Sequence, residues 1–472
     1  MSRLHRRQFV KSTAALGAGA WVLGGVPARA SRAANEEIRF ACIGVGGKGS
    51  SDSSDAGREG KVVAICDIDR NILEEKRKEF PDAKVYTDFR KMLDEMEDQI
   101  DAVTVSTPDH THAVAAVYAM RMGKHCFCQK PLTHSIEEAR VLGDLARETG
   151  VVTQMGNQGT AGSSLRESAA LIRAGVVGAV KEVHVWTNRP VWPQSNGLEI
   201  PSQPTPDHID WASWIGPAKH RPYSPELHPF KWRGLWDFGT GALGDMACHT
   251  LNMSYMALDL KFPTSVEAEF EPHDRVFFPS RSKITFEFPE MNGRPALKMV
   301  WYDGGEKPAD ELLADLPKRR QNDRELHYTS GALIVGEKGK FYSPGDYGEI
   351  PAATGLIVDG DFVSQRRITR PRDGEASPFS QFKDIEYTRS PGHFTEFANG
   401  IKGTGKPVSE FTDYAGPLTE TILLGNLALW NGKKIEWDAK NMVAAGADQE
   451  IQQMIRHEYL HGYSLEQLAV SL

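Results

Sequence analysis

Cysteine is scarce. There are five in 472 residues, Cys42, Cys66, Cys126, Cys128 and Cys248, and no two form a C-x-x-C pair. That spacing argues against a disulfide framework and against a cysteine-based zinc site. Cys126 and Cys128, two apart on one expected strand, read as small buried hydrophobes. Basic charge is not in excess either. Lys and Arg number 55 against 63 Asp and Glu, a net −8, which leaves no electrostatic footprint for nucleic acid. Beyond the N-terminal segment no run of about eighteen apolar residues occurs, so no membrane span is expected in the mature body. The chain is 40% hydrophobic and 25% charged, ordinary for a protein with a real core, and its length predicts two domains or one large one with appendages.

The first thirty residues read as an address. Arg6-Arg7-Gln8-Phe9-Val10-Lys11 precedes an apolar stretch from Thr13 to Val26 and then Ala28-Arg29-Ala30. These are a charged region, a hydrophobic region and an A-x-A cleavage site. The arginine pair followed by x-F-V-K resembles a twin-arginine signal. The resemblance implies recognition by the twin-arginine export machinery, cleavage after Ala30, and a periplasmic or exported protein. That route carries folded proteins, so a bound cofactor would leave the cytoplasm with the chain.

After this segment the chain alternates strand and helix, which predicts a parallel sheet. Ile38–Ile43 reads as a buried strand, followed by Gly44-Val45-Gly46-Gly47-Lys48-Gly49. Gly44, Gly46 and Gly49 fit G-x-G-x-x-G. The first allows a tight turn, the second lets a pyrophosphate approach, and the third packs helix on strand. A second strand, Lys61–Cys66, ends at Asp67, 21 residues after Gly46. An acid there accepts a hydrogen bond from a ribose 2′-hydroxyl and repels a 2′-phosphate, so NAD is favoured over NADP. Further strands are expected at Val85–Tyr86, Ala102–Ser106, His125–Cys128 and Val151–Met155. The end of Ala102–Ser106 carries Thr107-Pro108-Asp109-His110-Thr111-His112, where His112 either approaches the cofactor or braces the turn. Gln129-Lys130-Pro131 and Gly156-Asn157-Gln158 close the last two. Ser135-Ile136-Glu137-Glu138 matches a capping box for a helix to about Thr149. Residues 37–160 are therefore expected to form a Rossmann dinucleotide-binding domain. Gly49–Gly60 departs from the pattern: Ala56 is its only apolar residue apart from glycine, and a short helix or loop is expected there.

The glycine turn, Asp67, Thr107-Pro108…His112 and Gln129-Lys130-Pro131 together resemble the Gfo/Idh/MocA oxidoreductases, NAD(P)-dependent sugar and polyol dehydrogenases and their relatives. The resemblance covers residues 37–440. It implies that Gly44, Gly46, Gly47, Gly49, Asp67, Thr107, Pro108, His112, Gln129, Lys130 and Asn157 serve the cofactor. The family signature is Glu-Lys-Pro. Gln129 here keeps hydrogen-bonding ability but not charge, which shifts the pKa of Lys130 up or down according to its neighbours.

From Val180 the pattern turns to period two, at Val183/Val185, Val266/Ala268/Phe270 and Ile284/Phe286/Phe288, with further strands at Leu297–Trp301 and Ala332–Val335. Residues 161–445 thus read as an α+β domain with a large, mostly antiparallel sheet that has one covered face. The insertion after its first strand is rich in Trp. Trp211 and Trp214 read as a small loop core, whereas Trp232, Arg189 and Arg233 are candidates for binding a sugar. Next, Gly241-Ala242-Leu243-Gly244-Asp245-Met246-Ala247-Cys248-His249 places Asp245 and His249 one helical turn apart on one face. The resemblance implies His249 as acid/base and Asp245 as substrate binder or orienter. Asp359–Arg389 reads as a long polar loop. Residues 446–472 read as a helical tail whose His457 and His461 sit on an exposed helix, not at a metal.

The expected function is NAD-dependent hydride transfer from a secondary hydroxyl of a sugar, glycoside or polyol, by a homo-oligomer. His249 or Lys130 removes the proton. Export suggests tightly held, internally recycled NAD. The alternatives are a redox-neutral glycosidase working through a 3-keto sugar and a non-catalytic sugar-binding protein.

Overall fold

The computed structural model describes residues 37–465 apart from 322–323, 349 and 373–376; the arginine pair and the expected cleavage site lie outside the described residues. Strand β1 (Ile38–Ile43) leads into α1 (Gly47–Glu59), then β2 (Gly60–Cys66), α2 (Arg70–Glu79), β3 (Lys84–Tyr86), α3 (Phe89–Glu95) and β4 (Ala102–Val105). The alternation continues with α4 (Asp109–Arg121), β5 (His125–Cys128), α5 (Ile136–Thr149) and β6 (Thr153–Met155). The six strands are parallel in the order β3-β2-β1-β4-β5-β6, the doubly wound arrangement. The near-continuous apolar runs of β1 and β4 follow from burial on both faces. Helix α5 starts on the full Ser135/Glu138 capping box and ends on Gly150 in the left-handed conformation.

Helix α1 corrects the expectation of a short helix or loop after Gly49: it runs for 13 residues. The polar side chains on its inner face are hydrogen-bonded rather than solvated. Ser53 and Ser54 hydroxyls donate to the carbonyls of Gly49 and Ser50 at 2.8 and 2.9 Å. Lys76 of α2 reaches across to the Ser50 carbonyl at 2.7 Å and the Ser54 hydroxyl at 3.0 Å. Gly49, Ser53 and Ala56 are small enough to lie against the sheet. A Cβ at Gly49 would fall 2.0 Å from the Gly44 carbonyl oxygen, so only glycine fits there.

After a helix α6 (Ser163–Arg173), a ten-stranded sheet begins with β7 (Val180–Trp186). It continues with β8 (Ser265–Phe270), β9 (Ser282–Phe288) and β10 (Leu297–Tyr302). A separate hairpin pairs β11 (Arg319–Gln321) with β12 (Arg324–Leu326). The large sheet resumes with β13 (Gly331–Gly336), β14 (Gly339–Pro344), β15 (Gly355–Val358) and β16 (Asp361–Ser364), and closes with β17 (Ile435–Asp438) and β18 (Val443–Ala445). The order is β16-β15-β14-β13-β7-β10-β9-β8-β17-β18, antiparallel except for the parallel β7–β10 pair. In β9 every second residue is buried, which is one covered face written in sequence. Asp359–Arg389, expected as a loop, holds β16 and a short helix, Gln365–Thr369.

Two helices join the sheets. Helix α7 (Gly241–Thr250) is buried along its whole length. Helix α8 (Gly416–Asn431) packs on α5, α7 and β8. Its buried Glu420 accepts from Arg140 of α5 and, at 3.0 Å, from Trp437 Nε1 of β17. Trp211 and Trp214 stack with ring centroids 4.3 Å apart in a satellite core that also holds Trp232 and Phe238.

The tail differs from expectation. Helix α9 (Gln449–Met454) ends before His457, and the chain then runs as a strap over the parallel-sheet unit. The Ile455 carbonyl accepts from Glu137 N at 3.0 Å, Tyr459 donates to Glu138 at 2.7 Å, and the Leu460 N–H donates to Pro217 at 3.0 Å. His457 sits edge-on to His134, 5.4 Å away, so His457 and His461 share no helix face. All five cysteines are free and buried, and no helix among the described residues is long and apolar enough to cross a membrane.

Candidate active site

The carboxyl ends of β1, β2, β4 and β5 open into one cavity of about 570 Å³, which the second sheet's elements complete. One half carries nucleotide-binding features. Gly44 turns the chain at φ 75°, where a Cβ would meet the Ser106 carbonyl oxygen at 2.6 Å. Gly46 and Gly47 line the cavity at the start of α1, and no side chain caps that helix. Its first amides are therefore free to receive a pyrophosphate. A Cβ at Gly47 would meet nothing within 4 Å, so a ligand can approach closely.

Asp67 closes β2 with its carboxylate over the turn. It accepts from Val45 N at 2.8 Å, Gly46 N at 3.2 Å and Asp69 N at 3.0 Å. Burial raises its pKa against the pull of those three donors. A carboxylate has about four acceptor positions, so a ribose hydroxyl still finds one. Thr107 and Pro108 line the cavity at the end of β4, and Thr107 Oγ1 is buried with no partner. The uncapped amides, the acid and the orphaned hydroxyl fit a dinucleotide.

The other half collects the expected catalytic residues. Lys130, at the end of β5 and joined to Pro131 by a cis peptide bond, points at α7. Its Nζ donates to Asp245 Oδ1 at 2.6 Å and to the Asp245 carbonyl at 2.9 Å. Burial works against the lysine's charge, but Asp245 outweighs it and the pKa stands above the ordinary value. Burial likewise opposes ionisation of Asp245, but Lys130 and Arg233, whose Nε is 3.4 Å away, bring it down to about 2. His249, one turn along, is 3% exposed and lies edge-on to Tyr347 at 4.7 Å. Burial, reinforced by the charge of Lys130, holds its pKa well below 6.5, so the imidazole is neutral. Its Nδ1 is buried without a partner. Arg189, Trp232 and Arg233 line the same half, with the Arg233 guanidinium 4.3 Å from the Trp232 ring centre.

Two residues expected at the cofactor do not line the cavity. His112 does not reach the cavity: its Nδ1 and Nε2 bond the carbonyls of Pro131 and Thr107 at 2.9 and 2.8 Å. It braces the two strand ends against each other. Asn157 lies behind the site, taking a hydrogen bond from Ser409 and reaching the Cys248 carbonyl at 3.5 Å. Gly49 acts by packing rather than by lining the cavity. Conversely, Lys48, Tyr347 and Tyr463 line the cavity and were not singled out in the sequence. Tyr347 belongs to a loop with no motif and Tyr463 to the tail, so no local pattern marks either. Trp214, expected in a loop core, is in that core and also edges the cavity.

A nucleotide turn with a strand-end acid thus faces a Lys–Asp–His group across one cavity, on a doubly wound sheet joined to a second, mostly antiparallel one. The chain belongs to the Gfo/Idh/MocA family: residues 38–157 match its "Oxidoreductase family, NAD-binding Rossmann fold" and residues 167–293 its "Oxidoreductase family, C-terminal alpha/beta domain". Among curated relatives, it is 33% identical to glycosyl hydrolase family 109 protein 1 of Shewanella sp. (strain ANA-3) over 177 residues, 32% of this chain and 38% of that one. It is 25% identical to levoglucosan dehydrogenase of Pseudarthrobacter phenanthrenivorans over 191 residues, 40% of each. The chain thus spans about two fifths of the length of these relatives. The same fold occurs in the WlbA dehydrogenase of Bordetella pertussis, solved with NADH and UDP-GlcNAcA, with a TM-score of 0.56, 16% identity, and 85% of this chain and 99% of that one covered.

Proposed function

We propose that this chain is an NAD-dependent oxidoreductase acting on a secondary hydroxyl of a sugar, glycoside or polyol. The observation that carries the reading is the pairing of a fixed cation with a neutral imidazole in one cavity: Lys130 tied to Asp245, and His249 beside them. NAD, when bound, supplies the acceptor for the hydride that leaves the carbinol carbon. His249 takes the hydroxyl proton, since it lines the cavity and is neutral. Lys130 stays protonated and stabilises the alkoxide charge that develops on the substrate oxygen. Asp245 keeps that ammonium charged and aimed. Trp232 and Arg233 offer a flat apolar face with a cation above it, and Arg189 adds a donor at the cavity edge.

The N-terminal arginine pair supports export by the twin-arginine route, and export supports NAD that is kept and recycled by a homo-oligomeric enzyme. The glycosyl hydrolase relatives favour a second reading of the same site. Oxidation at C3 of a glycoside acidifies the C2 proton, elimination of that proton and of the C1 leaving group gives an unsaturated ketone, water adds at C1 with a proton returning to C2, and return of the hydride to C3 makes the net reaction a redox-neutral hydrolysis.

A panel of glycosides and polyols tests both, following nicotinamide absorbance and released sugar together. Net absorbance change on a polyol or free sugar supports the dehydrogenase; released sugar without net change supports the glycosidase. Denatured protein should release nicotinamide nucleotide into the supernatant, and its absence from natively expressed protein would count against retention.

A further inference from the structure

The polar first helix and the altered Gln-Lys-Pro step meet at one contact. Asp52 of α1 is 1% exposed. Its Oδ1 accepts from Lys48 Nζ at 2.6 Å, and its Oδ2 accepts from Gln129 Nε2 at 2.8 Å and Ser106 Oγ at 2.7 Å. A carboxylate has no proton to give, so the Gln129 amide must turn its NH2 toward Asp52. Its Oε1 then faces the Lys130 N–H at 3.3 Å. The amide is also held from behind, because a Cβ at Gly156 would lie 2.5 Å from Gln129 Nε2. Glutamate at position 129 would set a second carboxylate against Asp52 in a buried place, and one of the two would have to take up a proton.

We propose that Asp52 is a positioning residue of this site, holding on α1 the negative charge that the family signature places at position 129. It fixes the Gln129 carboxamide next to Lys130 and anchors Lys48 at the edge of the cavity, next to the glycine turn. The altered signature is then a relocated charge and not a lost one. The inference rests on the NAD-dependent reading. Lys48 on the same helix pairs with Asp52, and Lys130 follows Gln129 after β5; the field of Asp52 also reaches the Cys42 thiol, together with Lys76 and Glu79 of α2, and the Cys128 thiol, together with Asp109 opening α4 and Glu138 of α5. Burial pushes both thiols well up, so they add no charge.

The test compares wild type, Gln129→Glu, Asp52→Asn and the double variant Asp52→Asn/Gln129→Glu. Each is titrated with NAD between about pH 5 and pH 9, with thermal melts alongside. Gln129→Glu should weaken NAD binding by roughly tenfold or more at about pH 8 and recover toward pH 5, as the carboxylate pair gains a proton. Asp52→Asn alone should weaken binding without that pH dependence. The double variant, which exchanges the two groups, should return to within roughly threefold of wild type at every pH. Unchanged binding by Gln129→Glu across the range overturns the proposal, and so does a double variant no better than the single. If Gln129→Glu does not fold, folding of the double variant supplies the rescue, and its failure to fold overturns the idea. Should wild type bind no NAD, the cofactor reading fails, and rescue in the melts alone still decides the role of Asp52.

Discussion

Lys130 Nζ lies 2.6 Å from Asp245 Oδ1 and 2.9 Å from the Asp245 carbonyl, so one side chain ties the end of a parallel strand to a helix of the second sheet. The two groups shift each other in opposite directions, the lysine upward and the aspartate down to about 2. A lysine so held is a fixed cation, and in the proposed reaction proton removal then falls to His249.

Replacing Lys130 by Met should therefore lower kcat by about 10²–10³-fold while NAD content stays at the wild-type level. Asp245→Asn should lower turnover too and bring the lysine pKa down, adding a titration to the alkaline side of the pH–rate profile. Steady-state kinetics with bound nucleotide counted in the same samples separates these effects from lost cofactor.

His249→Ala should cost about 10²–10⁴-fold in kcat, the usual range for a general base. Burial and the charge of Lys130 keep this imidazole neutral down to well below 6.5. Wild-type kcat/KM should accordingly show no loss of base on acidification through about pH 6.5. An acid limb centred there, and absent from His249→Ala, would mean that the imidazole titrates normally.

Tyr463 comes from the tail, stacks under the Arg90 guanidinium at 4.7 Å and lines the cavity with Asp67 and Phe89. Tyr463→Ala should release bound NAD roughly tenfold faster, because such changes act mainly on the off-rate. Nucleotide retained through prolonged dialysis, variant against wild type, is the measurement. Equal retention would remove the tail from the cofactor site.

Stability should fall as pH drops below about 6.5. Burial depresses His110 to about 3, and His125 and His393 to about 4. Their contribution is complete above the unfolded-state pKa of about 6.5 and is lost as pH falls through those lower values. Asp303 opposes this. Burial raises it to about 7, so its contribution is complete below the unfolded value of about 3.9 and is lost as pH rises through 7. Asp303→Asn should steepen the loss of melting temperature between about pH 6.5 and 4. A wild-type melting temperature that rises over that interval contradicts the balance.

Much of the nucleotide half was legible because its signals are local. A tight turn needs Gly44, close packing needs Gly49, and the strand ending at Asp67 carries its acid at a fixed distance along the chain. Asp245 and His249 were legible for the same reason, since helical spacing alone puts them on one face. The errors at α1 and the tail share a cause. Hydrophobic pattern marks a helix only when apolar burial stabilises it, whereas α1 is held by hydrogen bonds from α2 and by small residues, and the tail by contacts on α5. The role of His112 is not legible in the sequence, because only the position of Pro131, in another strand's turn, engages its second nitrogen.

The sequence by itself determined the doubly wound sheet, the glycine turn with its acid, and the residue types available for proton transfer, because each follows from spacing of a few residues along one element. Tertiary structure alone decided which of Lys130 and His249 is neutral, and that Asp52 faces Gln129. Protonation depends on burial and on charges brought together from distant elements: Asp245 lies 115 positions from Lys130, and Asp52 lies 77 from Gln129. No local pattern encodes those distances.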